Sequence, residues 1–377
     1  MIGIYVHVPF CAQKCNYCDF NSYKIEEKNQ KKDYLISIKK EMELYKEEFK
    51  NKEFTSVFLG GGTPSILTPE ELTILMENIY SNFNIKRDAE ITMECNPGTL
   101  TLNKLKVMKK SGVNRLSIGL QAVQNHHLKY IGRIHTFEEF EKNYHDAKQM
   151  GFDNINIDLM YALPNQSRED WMESLEKVVK LNPTHISAYS LILEENTELF
   201  KMYERDEFNL LDENTDIEMY EYTIDYLKSH GYNQYEISNY AKDNFECKHN
   251  VLYWKCEEYV GIGASASGYF NGIRYNNICE LDNYEKMILE GEKPIEWEEK
   301  LSIKDEIEES IFLGLRMNEG IQISDFKEKY NFDFEKEYKN EIEKLSKMEL
   351  IEIDNNLMKL TQKGREISNS VFVEFIK

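Results

Sequence analysis

Three cysteines stand close together near the start of the chain, in the segment Cys11-Ala-Gln-Lys-Cys15-Asn-Tyr-Cys18. A structural zinc site is one interpretation, but zinc takes four ligands, usually in two separated pairs. The pair Cys247 and His249 can in principle complete such a site, although it lies far away in sequence. We favour a [4Fe–4S] cluster on three thiolates, which leaves one iron without a protein ligand. An open iron can bind a small molecule, and the amino and carboxylate groups of S-adenosylmethionine suit it.

Alternating apolar runs and amphipathic stretches fill the first 190 residues and must position that loop. The predicted strands cover residues 4–8, 55–60, 89–94, 114–120, 154–160 and 185–191. The predicted helices lie near 30–50, 69–82, 101–111, 137–150 and 168–181. This alternation predicts a parallel α/β sheet, either doubly wound or closed into a barrel-like ring of βα repeats.

The unusual polar and glycine-rich motifs follow the predicted strands. They are the cysteine segment, Gly60-Gly61-Gly62-Thr63-Pro64, Glu94-Cys95-Asn96-Pro97-Gly98 and Gly119-Leu120-Gln121, while the fifth strand contains Asp158. Both architectures place function at the carboxyl ends of their strands. We therefore expect one rim of the sheet to collect these motifs.

Composition narrows the class of protein. The 377 residues include Lys+Arg 46 against Asp+Glu 67, a formal net charge of −21. This acid excess argues against nucleic acid as a partner, and membrane association is expected only through partner proteins. No apolar run predicts a transmembrane span or a signal peptide. The lack of an export signal, together with an odd number of cysteines, seven, predicts a reducing, cytoplasmic location.

The second half of the chain changes character. Residues 196–230 look helical and acidic, and residues 232–280 are rich in Tyr, Asn and Gly with little periodicity. From about residue 301 the pattern reads as three helices and a hairpin, typical of a winged-helix-like unit. We expect a core at 1–232, an α+β connecting region at 233–300 and a C-terminal unit at 301–377.

The cysteine spacing followed by GGGTP resembles the radical S-adenosylmethionine (radical SAM) superfamily. Further segments resemble its oxygen-independent coproporphyrinogen III oxidase group, and most of all the heme chaperones of that group. They are IYVHVPFCAQKCNYCDFNSY, FLGGGTPS, MECNPGTL, NRLSIGLQA, IGRIH, NIDLMYALP, HNVLYW and FLGLRMNEGI, and they span essentially the whole chain. The resemblance implies a partial (βα)6 barrel of the radical SAM type with a C-terminal α+β region.

Residue roles follow from this resemblance. It implies that Cys11, Cys15 and Cys18 ligate the cluster and that Tyr5 packs beside the cofactor. The residues it implies for contact with S-adenosylmethionine are Gly61, Gly62, Thr63, Glu94, Gln121, Arg133 and Asp158. Only glycine lets backbone amides approach a ligand so closely.

The segment His249-Asn-Val-Leu-Tyr253-Trp254 resembles a signature of the heme chaperones. An imidazole beside two large aromatics can supply an axial nitrogen to heme iron. A packed core histidine is the alternative. A second glycine motif, Gly261-Ile-Gly263-Ala-Ser-Ala266, lacks the βαβ context of a dinucleotide site and is better interpreted as a turn beside a ligand.

Two functions stay open at this stage. The first is a heme chaperone that binds heme and transfers it to acceptor proteins, with a [4Fe–4S] cluster and S-adenosylmethionine retained. The alternative is a radical SAM enzyme of the coproporphyrinogen III oxidase type. Such oxidases usually carry an N-terminal extension and a fourth cysteine where this chain has Phe20, so we expect no oxidase activity and assign no catalytic residue.

Overall fold

The fold is known from a computed structural model that describes residues 1–25 and 29–377. Its strands are β1 (Ile2–Val8), β2 (Phe10–Cys11), β3 (Tyr23–Lys24), β4 (Glu53–Gly61), β5 (Asn84–Cys95), β6 (Arg115–Gln121), β7 (Asn154–Tyr161), β8 (His185–Ser190), β9 (Asn233–Glu236), β10 (Asn239–Ala241), β11 (Glu258–Ile262), β12 (Ser267–Phe270), β13 (Ile273–Asn277), β14 (Ile295–Lys300), β15 (Ile321–Gln322), β16 (Ile351–Asp354) and β17 (Leu357–Leu360).

Helices fill most of the connections. They are α1 (Gln30–Phe49), α2 (Pro69–Asn82), α3 (Leu102–Lys110), α4 (Asn125–Tyr130), α5 (Phe137–Gln149), α6 (Arg168–Leu181), α7 (Glu198–Glu204), α8 (Glu213–Ser229), α9 (Lys248–Trp254), α10 (Leu281–Glu290), α11 (Ile303–Arg316), α12 (Ile323–Tyr330), α13 (Phe334–Glu337), α14 (Lys339–Lys347), α15 (Gln362–Glu366) and α16 (Ser368–Val373), with a 3-10 turn at Pro64–Ile66.

One large sheet organises the molecule, in the order β14-β13-β12-β11-β1-β4-β5-β6-β7-β8-β10-β9. From β1 to β8 every neighbouring pair in that order is parallel, and β11 extends the parallel set beside β1. Because parallel strands share a direction, the carboxyl ends of β1, β4, β5, β6 and β7 meet at one edge. The motifs that follow these strands are therefore brought to a common rim, as the sequence predicts.

Local chemistry explains why the helices begin where they do. Thr68 caps α2 through a reciprocal capping box with Glu71, and Thr136 and Ser167 make the same arrangement at α5 and α6. Each cap satisfies amide groups that the first turn leaves without a partner. The βα boundaries, and with them the rim, are thereby fixed by short sequence signals.

Two separate apolar cores support the fold. The larger core lies under the parallel sheet and includes fully buried Trp171 of α6. The smaller core packs α11, α12 and α14 against the β15-β17-β16 sheet around Ile311 and Met358. The elements after residue 301 follow the predicted order of helices and a hairpin, with the third helix interrupted at Tyr338.

Candidate functional site

The three clustered cysteines lie on the loop that leaves β1. Cys11 ends β2 and is 7% exposed, whereas Cys15 and Cys18 are half-buried and joined by a hydrogen bond from the Cys18 amide to the Cys15 carbonyl, 3.2 Å. Asn16 anchors the loop from outside, because its amide donates to the Ile131 carbonyl at 2.9 Å and its side chain donates to the Tyr130 carbonyl at 2.8 Å. The loop is thus attached to the segment that carries Arg133.

A cavity of about 280 Å³ opens at the rim beside this loop, and we call it the cluster cavity. Its lining includes most of the site residues expected from the sequence: Cys11, Cys15, Cys18, Gly61, Gly62, Thr63, Glu94, Gln121, Arg133 and Asp158. Tyr5 and His249 are not part of this lining. The structure therefore brings the expected residues of successive strands into one space, apart from these two.

Arg133 connects the cysteine loop to the strand ends. Its guanidinium donates to Cys15 Sγ at 3.7 Å, to Asn96 Oδ1 at 3.0 Å and to the Gly119 carbonyl at 2.5 Å. Asn96 in turn donates to Thr63 Oγ1 at 2.9 Å, and Thr63 Oγ1 lies 3.4 Å from Cys11 Sγ. The hydrogen bonds of Arg133 and Asn96 thus join the cysteine loop to Thr63 and Gly119 at the strand ends.

Burial controls the protonation of the thiols in the absence of a metal. It raises the pKa of Cys11, and it raises the pKa of Cys18 to about 11, helped by repulsion from Cys15 and Cys11. At Cys11 and Cys18 the neutral thiol is therefore favoured until a metal charge replaces the proton. Binding of iron is expected to release protons for this reason.

The spacing of the sulfurs distinguishes a cluster from a single ion. Among the described residues, one group of metal-binding atoms lies mutually within 4.8 Å, namely His126, His127 and Asp170, and the three cysteines are not such a group. A zinc ion at roughly 2.3 Å from each sulfur needs ligands that close together. Thiolates that ligate three different irons can stand farther apart, so the loop fits a cluster better than zinc.

The distant zinc candidates do not reach the cysteine loop either. Cys247 is fully buried with its Sγ 3.7 Å from Glu90 Oε1, and neither it nor His249 lines the cluster cavity. No fourth ligand for a tetrahedral ion comes from that pair.

Two carboxyls share the floor of the cluster cavity. Glu94 accepts a hydrogen bond from the Gly61 amide at 3.2 Å, and burial together with repulsion from Asp158 raises its pKa to about 8. Burial also raises the pKa of Asp158, although Asn156 and Ser117 donate to it at 2.7 and 3.0 Å. Carboxyls with such raised pKa values in a cavity are typical of functional sites.

Four residues that line the cluster cavity have a buried polar atom without a hydrogen-bond partner among the described residues. The atoms are Ser22 Oγ, Arg115 Nε, Gln121 Oε1, which is an acceptor, and Arg133 Nε–H, which is a donor. Gln121 also adopts a left-handed backbone with φ 69°, which is uncommon for a residue with a side chain. Because buried polar groups normally find partners, an acceptor and a donor left open beside one cavity fit a polar ligand such as S-adenosylmethionine.

The glycines after β4 have a structural role that the sequence did not indicate. A Cβ on Gly61, where φ is +108°, would stand 2.6 Å from the His7 ring. A Cβ on Gly62 would stand 2.8 Å from the Phe10 carbonyl oxygen and 2.9 Å from its nitrogen. These glycines let β4 approach β1 and the cysteine loop, so they support the cluster ligands as well as the cavity.

Tyr5 and His249 do not line the cluster cavity but lie beside it, since both rings stack on Phe58, which is part of its lining. The Tyr5 hydroxyl lies 3.0 Å from His7 Nδ1, and the Tyr5 side chain lines a second cavity of about 540 Å³. His249 is 1% exposed, with Nδ1 2.8 Å from Ser56 Oγ and Nε2 2.8 Å from the Tyr253 hydroxyl. Burial lowers the pKa of His249 to about 3, so the ring is neutral. A direct contact with heme iron would require it to leave one of these partners, and that role stays a prediction.

The sequence analysis assigned no role to three polar residues of the cluster cavity. Asn96 bridges Thr63 and Arg133, while Ser117 and Asn156 hold Asp158. The sequence carried a signal for Ser117 and Asn156. Each stands two residues before a strand residue that the sequence analysis named, Gly119 and Asp158 respectively. Side chains at i and i+2 share one face of a strand.

We predict that Glu94 contributes stability to the cluster-free chain that is lost as the pH rises from about 5 to about 8. Glu94 keeps its proton in the folded state up to a pKa of about 8, whereas an unfolded Glu releases it near its ordinary value of 4.5. At this carboxyl the folded state thus binds more protons in this range, and its contribution to stability falls with pH. Urea unfolding at several pH values should show the free energy of unfolding of wild type falling relative to that of Glu94→Gln as the pH rises. Glu47→Gln, at an exposed carboxyl, is the control; equal slopes in Glu94→Gln and wild type would contradict the assignment.

Comparisons with known proteins identify the family of this chain. Residues 5–178 match the radical SAM superfamily, and residues 301–367 match the HemN C-terminal domain. The chain is 41% identical over 373 residues to the heme chaperone HemW of Lactococcus lactis, covering 99% of this chain and 96% of that relative. It is 35% identical over 377 residues to HemW of Bacillus subtilis, covering 100% and 99%.

A solved structure also resembles the whole chain. It is coproporphyrinogen III oxidase (HemN) from Escherichia coli, described as a radical SAM enzyme, with a TM-score of 0.89 and 23% identity over 100% of this chain and 90% of that chain. This likeness concerns the fold, and it confirms the partial barrel with a C-terminal α+β region. In the described part of the chain no helix has the length and apolar character needed to cross a membrane.

Proposed function

We propose that this chain, which belongs to the heme chaperone HemW family within the radical SAM superfamily, binds heme and transfers it to acceptor proteins. The observation that carries the proposal is that its likeness to these chaperones extends over the barrel, the connecting region and the C-terminal unit alike. The function accordingly belongs to the whole chain. We propose that the chain divides into a core at 1–232, a connecting region at 233–300 and a C-terminal unit at 301–377.

In this proposal the cluster cavity holds a [4Fe–4S] cluster and S-adenosylmethionine. Cys11, Cys15 and Cys18 ligate the cluster, and Arg133 supports the thiolate of Cys15. When bound, the cluster supplies one-electron chemistry at an iron that no cysteine ligates. The residues assigned to S-adenosylmethionine are Gly61, Gly62, Thr63, Glu94, Gln121, Arg133 and Asp158, with Tyr5 nearby.

The charges of the cavity support this assignment. S-adenosylmethionine carries a sulfonium and an amino group, which are cationic, and a carboxylate. Glu94 and Asp158 offer two carboxyls that are costly to ionise until a cation arrives. The unpartnered Nε–H of Arg133 can donate a hydrogen bond to the carboxylate of S-adenosylmethionine, and Gln121 Oε1 can accept one from its amino group.

The oxidase alternative receives less support from this chain. At the position of the extra cysteine stands Phe20, whose side chain is 68% exposed and cannot ligate a metal. The likeness to the oxidase structure concerns the fold alone, since one fold serves many functions. We therefore keep catalysis on a porphyrinogen as the outcome that would displace the chaperone proposal.

The partners follow from the same proposal. The acceptors are heme-requiring proteins, and contact with a membrane occurs through them. The seven cysteine thiols are all free, and three of them must stay reduced to hold iron, so we propose the cytoplasm as the location. The net charge of −21 disfavours nucleic acid.

The anaerobically reconstituted chain should bind about one heme per chain, followed by its Soret band during titration with ferric heme. Adding apomyoglobin should move the heme to that acceptor, because a chaperone must release what it holds. With dithionite, S-adenosylmethionine and coproporphyrinogen III, the same preparation should form no decarboxylated product. Saturable heme binding without turnover supports the proposal, whereas turnover without heme binding would replace it with the oxidase.

A further inference from the structure

The second cavity, which we call the aromatic cavity, lies beside the cluster cavity. It occupies about 540 Å³ between helix α11 and the β11–β14 side of the sheet, and the exposed side chain of Phe20 borders both cavities. Six of its aromatic side chains carry the argument: Tyr253, Trp254, Tyr259, Tyr269, Trp297 and Phe312.

The size and lining of the aromatic cavity suit a large flat ligand. Its volume lies within the range of roughly 300–1,000 Å³ that holds cofactors and drug-sized molecules. The cluster cavity, at about 280 Å³, is smaller and is already assigned to a cluster and a nucleoside cofactor. The aromatic rings, which come from α9, α11, β11, β12 and β14, offer apolar faces that can stack on a macrocycle. Of these two cavities, the aromatic cavity is the one with room for a porphyrin.

One soft metal ligand stands in the wall of the aromatic cavity. Cys256 follows Lys255, the C-cap residue of α9, and closes the helix, because the Cys256 amide donates to the Tyr253 carbonyl and the Glu257 amide donates to the Leu252 carbonyl, each at 3.0 Å. This is the pattern of a Schellman cap, whose left-handed position usually holds glycine. Here a cysteine with φ 51° occupies it, and its thiol is free and half-buried. Cysteine thiolate is an established ligand class for heme iron.

Several other polar groups that line the aromatic cavity are engaged, although Trp254 Nε1 and Arg274 Nε have no hydrogen-bond partner among the described residues. Both guanidinium ends of Arg274 bond the Glu309 carboxylate. The hydroxyl of Tyr253 is bonded to His249, and the ring of Tyr259 packs edge-on against Tyr253 with centroids 4.6 Å apart. His249 is thus a positioning residue that fixes one aromatic wall from behind. This contact explains how the histidine can affect heme binding without touching iron.

We propose that the aromatic cavity holds the porphyrin ring of heme and that the sulfur of Cys256 ligates its iron. The inference rests on the proposed function, because it locates the heme that the chaperone carries. On binding, the Cys256 thiol loses its proton to solvent and its sulfur donates an electron pair to ferric iron, so no oxidant or reductant is needed. Phe20 then lies between the heme and the cluster cavity.

The test uses the full chain with its cluster, titrated with ferric heme and separately with metal-free protoporphyrin IX. Trp297→Ala removes a half-exposed aromatic wall and should weaken both ligands about tenfold. Cys256→Ser should weaken heme alone and abolish the red-shifted ferrous–CO Soret band that a thiolate ligand produces. Tyr203→Ala and Cys279→Ser, at exposed positions outside this cavity, are the matched controls.

A labelling experiment keeps the test independent of folding of the cysteine variant. In the wild-type chain, bound heme should protect Cys256 from iodoacetamide and leave Cys279 reactive. Heme binding that survives both Trp297→Ala and Cys256→Ser would overturn the inference and leave the chaperone proposal standing. So would a spectral change confined to His249→Ala, or a loss confined to Tyr330→Ala, whose side chain lines a third cavity of about 540 Å³ that Cys256 also borders. Failure of the wild-type chain to bind heme at all would overturn the proposed function itself.

Discussion

Replacing Cys11, Cys15 or Cys18 by Ala is expected to abolish retention of the [4Fe–4S] cluster. A three-thiolate site has no spare ligand, so loss of one sulfur leaves two irons exposed to solvent and exchange. The measurement is iron and sulfide content with the visible absorbance after anaerobic reconstitution. We expect wild type to hold about four irons per chain and each variant to hold close to none.

The other four cysteines provide the controls. Cys95 contacts the Met93 carbonyl at 3.5 Å, Cys247 contacts Glu90 at 3.7 Å, and neither side chain is more than 3% exposed. Cys256 borders the aromatic cavity and Cys279 is exposed. Single Ala variants of these four should keep the full iron content. If two of them prove essential for the cluster, the ligand assignment is wrong.

The barrel elements could be predicted because their signals are local. The strand expected at 154–160 is Asn154–Tyr161, and the helix expected at 168–181 is Arg168–Leu181. Each is a buried or amphipathic run between capping residues, so the pattern and the structure depend on the same contacts. The sheet extension by β11–β14 was not predicted, because its short strands are rich in Tyr, Asn and Gly. Pairing of β11 with β1 also joins segments far apart in the chain, which periodicity cannot reveal.

The cluster cavity was largely predictable, whereas the surroundings of His249 were not. Polar residues that follow parallel strands must converge, so the strand-end rule identified Glu94, Gln121 and Asp158. Which way an imidazole on a seven-residue helix points depends instead on how that helix packs. Here Gly3 leaves room for the ring, since a Cβ there would lie 3.0 Å from it, and the ring is buried against Ser56. A motif alone cannot separate such a positioning role from a ligand role.

Gly62→Val should eliminate binding of S-adenosylmethionine and also weaken the cluster. The sequence predicts loss of the cofactor alone, by filling the space that its methionine end needs. The structure adds that a Cβ at this position stands 2.8 Å from backbone atoms of Phe10, which cannot move without moving the neighbouring ligand Cys11. Calorimetric titration with S-adenosylmethionine should show no binding heat, and iron content should fall below that of wild type.

A glycine at the same rim distinguishes this clash from general destabilisation. Gly98 follows β5, and a Cβ there would meet no atom within 4 Å, although its φ of +84° disfavours a side chain. Gly98→Ala should therefore lower the free energy of unfolding by the roughly 1 kcal/mol that left-handed strain costs. The thermal midpoint should fall modestly, while iron and cofactor stay bound. A Gly62→Val chain that keeps its iron and still binds S-adenosylmethionine would show that the loop can shift away from β4. In that event the close approach of Gly62 to Phe10 would not be what positions Cys11, and the support for the cluster would have to come from Arg133 and Thr63 instead.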